Sequence, residues 1–388
     1  MNIIIAAGAL KHSLSAPHAA AAIARGIARS GLDAHCRLMP IADGGNGTLD
    51  AFLMSAPHRW RTVEAPACDP LMRSIGAAFL SDGVGSAVVE MAQASGLELL
   101  THAELAPLRA TTYGTGQLLT AALDSLPPST AEVILGLGGS ATTDGGAGCL
   151  QALGVRFFDS DGIALPDGIG GGDLHRIARI DVSGIDPRWG GVRLVIASDV
   201  ESPAVGATGA AALFAPQKGA SPSQVGTLDT HLNHYFGVIA AQLGVDVRAI
   251  PGGGAAGAFA AGMLAIFGER ARITSGIDLI LAAAGFDDHL ATCDLVITSE
   301  GRIDGQTLHG KGPLGVAQRA AARAVPTVAL VGGIAVDEAH LLDSQLHDAG
   351  IWAVLPIVPA PMSLDAALRD ADQLMEAAAV RLGYLLRL

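Results

Sequence analysis

The sequence predicts an α/β protein of two domains, one built on a Rossmann- or flavodoxin-like parallel sheet and a second, less regular α+β domain inserted into it. Short apolar runs, typical of strands buried on both faces, alternate with alanine-rich stretches of helical spacing. The chain has 388 residues, which suggests about two domains, and half of its residues are hydrophobic. Residues 61–105 and 159–248 interrupt the alternation with prolines and glycine turns.

The individual elements follow from these patterns. The predicted strands are the apolar runs 3–5, 133–135, 194–197, 295–297, 328–331 and 353–357. The predicted helices are the alanine-rich stretches 17–30, 117–126, 314–324 and 364–382. For the first helix, Ser15 is a suitable N-cap, Pro17 suits the first turn and Gly31 suits the end.

These elements define the predicted domains. The parallel-sheet domain is assigned residues 1–60, 106–158 and 249–388, and the inserted domain is assigned residues 61–105 and 159–248. Ligands of open α/β sheets gather at the carboxyl ends of the strands. The motifs described below each follow a predicted strand or an apolar run, so we expect one active site in the cleft between the domains.

Charge and composition exclude several classes of function. The formal net charge is −13 and no cluster of lysine and arginine stands out, which argues against nucleic acid as a partner. A local pocket with a metal ion can still bind ATP. The uncharged stretch 249–268 holds Pro251 and six glycines, so it predicts a turn and a helix rather than a membrane span.

The N-terminus and the cysteines indicate the subcellular location. The N-terminus is a poor signal peptide because no basic residues precede its apolar run. Four cysteines lie far apart and form no CxxC pair, which predicts core thiols in a reducing compartment: Cys36, Cys68, Cys149 and Cys293. We therefore expect a cytoplasmic protein with no membrane partner, for which a homodimer would be ordinary.

The most informative motif is a glycine-rich segment, residues 136–148, directly after a predicted strand. Six of its thirteen residues are glycine, so backbone N–H groups can approach an anion closely. Asp144 adds a carboxylate for a metal or an attacking hydroxyl, and a helix over 148–153 would direct its positive dipole end at the same place. Three hydroxyl groups add donors: those of Ser140, Thr142 and Thr143. The segment is therefore predicted to bind phosphate.

Three other motifs carry isolated charged groups. Lys11, after the first strand, can reach a phosphate as a point charge. Asp43, beside Gly44 and Gly45, can orient a hydroxyl or hold a metal, or it can form an Asx turn. Asp199, at a predicted strand end, suits a base or a metal ligand, and Lys218 suits a phosphate contact.

The last motif, residues 298–313, gathers charges in what the sequence predicts to be one strand-to-helix turn. It holds Glu300, Arg302, Asp304 and Lys311. Such groups are costly to bury without a ligand. Arg302 can hold a carboxylate or a phosphate through two parallel hydrogen bonds.

Standard signatures narrow the enzyme class. The sequence has no G-x-x-x-x-G-K-[ST] and no H-E-x-x-H, and residues 138–142 miss G-x-S-x-G at the last position. Gly136-x-Gly138-x-x-Ala141 fits the dinucleotide fingerprint, with Asp159 at about the distance of a ribose-binding acid. An acid within the loop would repel a pyrophosphate unless a metal intervened, so a nicotinamide-dependent dehydrogenase is kept only as an alternative.

The motifs together resemble those of the type I glycerate kinase family. The matching blocks are ADGG-x-GT at 42–48, GLGGSAT-x-DGGAG at 136–148, FAPQKGAS at 214–221 and EGRID-x-QT-x-HGK-x-P at 300–313, with further blocks at 90–97, 111–116 and 251–257. The resemblance runs nearly end to end and in the same order. It implies phosphorylation of D-glycerate, typically at the 2-hydroxyl, with ATP and Mg²⁺, by two α/β domains with the active site between them.

Departures from the family pattern remove two carboxylates. Family members usually carry Ala-Pro-Asp-Ser-Phe-Lys after the first strand, where this chain has Gly8 in place of the acid. A usual glutamate of the second block is Asn46, and a usual glycine of the last block is Ser299. The alternatives left open are a kinase for a related small hydroxy acid and a catalytically impaired paralogue that binds ligand.

The motifs and the resemblance give each residue a predicted role. ATP binding is assigned to Gly138, Gly139, Ser140, Thr142, Asp144, Gly145, Gly146 and Lys218. Substrate binding is assigned to Asp43, Gly44, Gly45, Glu300, Arg302 and Lys311. The Mg²⁺ ligands are sought among Asp43, Asp144 and Asp199. Catalysis is assigned to Lys11, Arg302 and two candidate bases, Asp199 and Asp304.

Overall fold

The computed structural model describes residues 1–42, 44–127, 131–303, 312–335 and 339–388. The chain divides into two compact units, each with its own sheet. The first unit contains residues 1–43, 50–58 and 276–388. The second contains residues 44–49 and 59–275.

Strands and helices alternate along the described residues. The strands are β1 (Asn2–Ala7), β2 (His35–Leu38), β3 (Arg61–Cys68), β4 (Ser74–Ser81), β5 (Ser86–Glu90), β6 (Ala131–Gly136), β7 (Arg156–Phe158), β8 (Arg179–Asp181), β9 (Val192–Ala197), β10 (Ala271–Thr274), β11 (Leu295–Ile303), β12 (Thr327–Ile334) and β13 (Ile351–Pro356). The α-helices are α1 (Ala16–Arg29), α2 (Thr48–Ser55), α3 (Ala92–Ser95), α4 (Tyr113–Asp124), α5 (Ala147–Ala152), α6 (Ala210–Phe214), α7 (Pro222–Leu243), α8 (Ala255–Phe267), α9 (Gly276–Ala283), α10 (Phe286–Leu290), α11 (Pro313–Ala321), α12 (Ala339–Asp348), α13 (Leu364–Arg369) and α14 (Ala371–Leu385). Short 3₁₀ helices lie at Leu97–Leu99, His102–Glu104, Leu174–Arg176, Pro187–Gly191, Pro216–Lys218 and Gly268–Arg270.

The first unit is built on a five-stranded parallel sheet in the order β2-β1-β11-β12-β13. This is the flavodoxin-like order, in which the direction of strand addition reverses between β1 and β11. The register places Ala7 opposite Ser299 at this reversal point. The predicted α/β class with a flavodoxin-like parallel sheet is therefore confirmed.

Helices cover both faces of this sheet. Ile3 and Ile5 of β1 pack in one hydrophobic cluster with Ile23 of α1, while Ile4 packs in another with Ile277 of α9. Burial on both faces explains why these strands are continuous apolar runs in the sequence. The first helix is capped as predicted, because the Ser15 hydroxyl accepts the backbone N–H of His18.

The second unit is built on a six-stranded mixed sheet in the order β10-β9-β6-β5-β4-β3. Strands β5, β6, β9 and β10 are parallel, and β3 and β4 extend the sheet in antiparallel register. Strands β7 and β8 form a separate antiparallel pair. The carboxyl ends of β5, β6 and β9 therefore lie side by side at one edge of the sheet.

The two units differ from the predicted domains. Strand β5, expected in the inserted domain, pairs with β6 from Ser86 opposite Glu132 to Glu90 opposite Gly136, so both belong to one sheet. Segment 249–275 joins the same sheet through β10. An apolar run marks a strand without indicating which of two sheets it joins, so the predicted boundaries and the observed units coincide only in part.

Other elements differ in detail from the prediction. The 22-residue helix α7 lies within the segment expected to be irregular, and its start is marked by a capping box between Ser221 and Gln224. The helix predicted over 364–382 is two helices that meet at Asp370. No helix of the described residues is long and apolar enough to cross a membrane. All four cysteines are free thiols; Cys68 and Cys149 are buried, and the other two are half-buried.

Candidate active site

In the second unit, three loops meet at the carboxyl ends of β5, β6 and β9. The segment 44–49 lies across the other two loops. Gly44 accepts the Gly138 N–H at 2.9 Å, and a Cβ added to Gly44 would lie 2.4 Å from the Ala197 oxygen. At the end of β5, the buried Glu90 carboxylate accepts the N–H groups of Gly47 and of Leu49, each at 3.2 Å. Gly44 is thus required by close approach, and its loop is fixed by a buried acid.

The glycine-rich segment has an exposed tip and a buried base. Gly139 is exposed and Gly138 is half-buried, whereas every residue from 140 to 148 is buried. Within the base, the N–H groups of Gly145 and Gly146 are already donated to protein acceptors. Among the described residues, no protein acceptor takes the N–H of Gly139 or of Ser140. The part of the segment able to meet an anion is therefore the tip, Gly138–Ser140, which we define as the exposed Gly139 with its half-buried neighbour Gly138 and its buried neighbour Ser140, 8% exposed.

Asp144 is the centre of the buried base. Its carboxylate accepts the backbone N–H of Thr112 at 2.8 Å and the Thr112 hydroxyl at 2.7 Å. It also accepts the N–H groups of Gly146 at 3.1 Å and Gly148 at 3.3 Å. The Thr112 hydroxyl in turn accepts the N–H of Cys149 at 2.8 Å. Burial raises the pKa of Asp144, and these hydrogen bonds oppose that rise.

This arrangement changes the interpretation of the following helix. Helix α5 begins at Ala147, close to the predicted start, but the anion at its first turn is the protein's own Asp144 carboxylate. The Asp144 carboxylate therefore takes the place at this helix end where the sequence predicts a phosphate. Asp144 is fully shielded from solvent. Its predicted roles toward a metal or ATP stay predictions, and the geometry favours a structural role.

Lys218 lies behind the glycine-rich segment. It ends a 3₁₀ turn that starts at Pro216, and the chain leaves through Gly219 at a φ of +91°. The side chain is 2% exposed, and its Nζ donates to the Ser140 Oγ at 2.8 Å and to the Thr142 oxygen at 2.5 Å. Burial lowers the pKa of Lys218 to about 7, and the Asp144 charge opposes this. The predicted proximity of this lysine to the segment is therefore present, but the lysine is buried beneath it.

Asp199 lies two residues beyond Ala197, the last residue of β9. The turn is fixed by the Ser198 N–H, which donates to the Thr274 oxygen at 3.0 Å, and by the Val200 N–H, which donates to the Ser198 Oγ at 3.3 Å. Asp199 is half-buried, with its Oδ2 atom shielded from solvent. Asp199 and the buried Glu90 are thus the carboxylates at the ends of the two strands that flank β6, and Asp199 is the less buried of the two.

The first unit brings together a different set of predicted residues at its reversal point. Strand β11 continues through Glu300 and Arg302, which pair with Val331 and Gly333 of β12. The predicted strand-to-helix turn is thus wrong for these two residues, which belong to the strand. Arg302 is exposed, so the free-energy cost of burying a charge does not apply to it. A Cβ added to Gly301 would lie 3.4 Å from the backbone nitrogen of Lys11, so Lys11 shares this strand end.

Three predicted residues, Asp43, Asp304 and Lys311, lie outside the described residues. Among the described residues, no group of three or more His, Cys, Asp or Glu side chains could hold a metal ion. A metal held by several protein ligands is therefore not supported there. Mg²⁺, which keeps most of its ligands as water or substrate phosphate and needs one or two carboxylates, still fits the oxygen donors at Asp199.

The positions that depart from the family pattern have clear local contacts. The Gly8 N–H donates to the Ser299 oxygen at 3.1 Å, and the Ser299 hydroxyl donates to the Gly8 oxygen at 2.9 Å. A Cβ on Gly8 would lie 2.7 Å from that Ser299 oxygen, so a larger residue needs a backbone shift here. Asn46 is exposed, and its Oδ1 lies 2.1 Å from the position of a Cβ on Gly139. The Asn46 side chain therefore lies beside the tip.

The dinucleotide fingerprint lacks its structural context. Its helix should begin within the motif, whereas α5 begins six residues after Ala141. Asp159 instead closes a turn by accepting the N–H groups of Asp161 and Ile163. The described residues therefore give no support to the dehydrogenase alternative.

Sequence reasoning gave no role to Thr112 and Glu90, although each lies in a block of the family resemblance. Thr112 is 32 residues from Asp144, and Glu90 is 43 residues from Gly47. Their presence in separate blocks was the only signal, because spacing along the chain does not show which distant donor meets which acid.

The exposed tip allows a stability effect to be separated from a ligand effect. Gly139 (φ +74°) and Gly162 (φ +77°) are both left-handed, and a Cβ on Gly162 meets nothing within 4 Å. We expect Gly139→Ala and Gly162→Ala each to lower the unfolding free energy by about 1–2 kcal/mol in denaturant titration. Only Gly139→Ala should also weaken ATP binding, because its methyl group displaces Asn46 at the tip. Equal ATP affinity of the two variants would contradict a ligand site there.

Comparisons with known proteins agree on one family. Residues 3–387 match the family model for the glycerate kinase family. The chain is 43% identical to a glycerate kinase of Halalkalibacterium halodurans, covering 97% of this chain and 96% of that protein. It is 41% identical to glycerate 2-kinase of Escherichia coli K12, covering 96% and 94%. A crystal structure of a glycerate kinase 2 candidate from Salmonella typhimurium LT2 superposes with a TM-score of 0.82 at 39% identity, covering 100% of this chain and 98% of that one. The chain therefore belongs to the glycerate kinase family.

Proposed function

We propose that this chain transfers the γ-phosphoryl group of ATP to D-glycerate, at the 2-hydroxyl, giving 2-phosphoglycerate. The observation that carries the proposal is the tip, Gly138–Ser140, whose central residue Gly139 is exposed at the carboxyl ends of three adjacent parallel strands. Phosphoryl transfer needs positioning and charge neutralisation more than covalent help from the protein. The N–H groups of Gly139 and Ser140, which no protein acceptor takes among the described residues, supply the first of these requirements.

In this proposal the phosphates of ATP meet the tip. The N–H groups of Gly139 and Ser140 donate to phosphate oxygens, together with the Ser140 hydroxyl. The absence of Cβ atoms at Gly138 and Gly139 makes room for Gly45 and Asn46, each of which has an atom 2.1 Å from the corresponding Cβ position. Asp199 is the described residue that would hold Mg²⁺, and the ion would supply positive charge against the phosphates.

Glycerate binding is assigned to the motifs of the first unit. Arg302 is proposed to hold the glycerate carboxylate, since a guanidinium matches a carboxylate through two hydrogen bonds. Lys11 contributes positive charge near the same strand end. The proton of the attacking hydroxyl is taken by a carboxylate, Asp199 or Asp304.

The test is ADP release from Mg-ATP by the purified protein with D-glycerate, L-glycerate, tartronate or no acceptor. We expect turnover with D-glycerate and a product phosphorylated at the 2-hydroxyl, identified by phosphorus NMR. Turnover only with another hydroxy acid would show that this acid, and not D-glycerate, is the substrate. Thermal stabilisation by ATP with no product from any acceptor would support the alternative of a catalytically impaired paralogue. The loss of activity would then be attributed to the two acids that are missing at Gly8 and Asn46.

A further inference from the structure

The contacts of Lys218 do not suit a direct phosphate contact. Its Nζ donates to two acceptors of the glycine-rich segment, the Ser140 Oγ at 2.8 Å and the Thr142 oxygen at 2.5 Å. The Lys218 side chain is 2% exposed, whereas Ser140 is 8% exposed and adjoins the exposed Gly139. A phosphate at the exposed tip would meet Ser140 before it met the ammonium group.

The hydrogen-bonding capacity of the Ser140 hydroxyl determines what it can do. An ammonium group has donors only, so the Ser140 oxygen must accept from Lys218. The single O–H of the serine is then left to donate elsewhere. Among the described residues no acceptor takes it, and the adjacent residue, Gly139, is exposed. The O–H is therefore available at the tip, and the neighbouring positive charge makes it a stronger donor.

We infer that Lys218 is a positioning residue, which holds the Ser140 hydroxyl so that its O–H donates to a phosphate oxygen of ATP at the tip. The inference rests on the proposed function. Asp144 provides the compensating charge within the buried base, so that the ammonium can persist there. Lys218 acts on the ligand through Ser140 and not by its own contact.

A double-mutant cycle separates this role from a direct contact. The affinity for Mg-ATP is measured by isothermal titration calorimetry for the wild type, Ser140→Ala, Lys218→Met and the double variant, with turnover of D-glycerate followed alongside. We expect each single change to weaken binding about tenfold, the range of a hydrogen bond to a charged group. In the Ser140→Ala background, Lys218→Met should change the affinity by less than about twofold.

The pH dependence of binding gives a second readout that a packing role would not produce. Burial lowers the pKa of Lys218 to about 7, so its ammonium loses the proton as the pH rises through 7. ATP affinity of the wild type should then fall several-fold from pH 6.5 to 8.5, and that of Ser140→Ala should stay flat. Asp144 is the charged group that acts on Lys218, and the titratable groups beside Asp144, namely Cys149 and Tyr235, have pKa values raised by burial, so both stay neutral in this range. The nucleotide ionises equally in both measurements.

The outcomes are distinct. Additive effects in the cycle, or a Ser140→Ala variant with the wild-type pH dependence, would overturn the positioning role while leaving the kinase proposal intact. ATP binding with the expected cycle but without glycerate turnover would support the positioning role and contradict the proposed acceptor. A wild type that does not bind ATP would overturn both. If Lys218→Met does not fold, the pH comparison of the wild type with Ser140→Ala decides alone.

Discussion

Replacing Asp144 with alanine is expected to lower the free energy of unfolding by about 4 kcal/mol or more. The carboxylate accepts from Thr112, Gly146 and Gly148 in a fully buried position. Alanine would leave buried N–H groups without an acceptor and would remove the charge that compensates Lys218. Each unsatisfied buried donor costs about 1–3 kcal/mol. Urea titration followed by circular dichroism measures the loss.

A half-buried acid with one exposed hydrogen bond provides the matched control for this change. Asp229 accepts one backbone N–H, that of Gly206, at 2.7 Å in an exposed contact. Asp229→Ala should cost less than about 1.5 kcal/mol, because water can replace the lost acceptor. Asp144→Asn keeps one acceptor oxygen and should lie between the two. If Asp144→Ala were as stable as Asp229→Ala and lost only metal-dependent activity, the structural role of Asp144 would be wrong and the metal-ligand prediction would be favoured.

The sequence was sufficient to predict elements whose signals are local. The run Ile3–Ile5 predicts a buried strand because both of its faces are covered, and β1 confirms it. Ser15 and Pro17 fix the start of α1, since a cap and a first-turn proline act within a few residues. Two predicted strands end at or next to the predicted residue, at Gly136 and Ala197, whereas a catalytic role for the polar residues that follow them stays a prediction.

Long-range contacts could not be predicted in the same way. The sequence shows an acid among glycines, and both a metal ligand and a buried anchor fit that pattern. The distinction depends on Thr112, which approaches Asp144 from the start of α4. Lys218 likewise fits a phosphate contact until its burial is known. The pairing of β5 with β6, which moved the unit boundaries, is equally invisible in local patterns.

The departures from the family pattern also need the three-dimensional contacts to be interpreted. Gly8 lies against the Ser299 backbone, so an acid at that position cannot be restored by a single substitution without moving β11. Asn46 is exposed beside the tip, where a carboxylate can be introduced with little steric cost. A carboxylate is therefore easier to introduce at position 46 than at position 8. Asn46 is the position at which the charge near the proposed phosphate site can be varied.

Asp199→Asn is expected to lower kcat by about 10²–10⁴-fold, the usual contribution of a positioned proton acceptor. The change removes the charge at the carboxyl end of β9 while keeping the size of the side chain, so the melting temperature should stay close to that of the wild type. Asp161→Asn, at an exposed turn, is the control and should leave kcat unchanged. Comparing kcat for D-glycerate with the affinity for Mg-ATP separates the two proposed tasks: a loss in kcat alone indicates the base, and a matching loss of Mg-ATP affinity indicates the metal ligand. Full turnover by Asp199→Asn would exclude Asp199 as the base and leave Asp304 as the remaining predicted candidate.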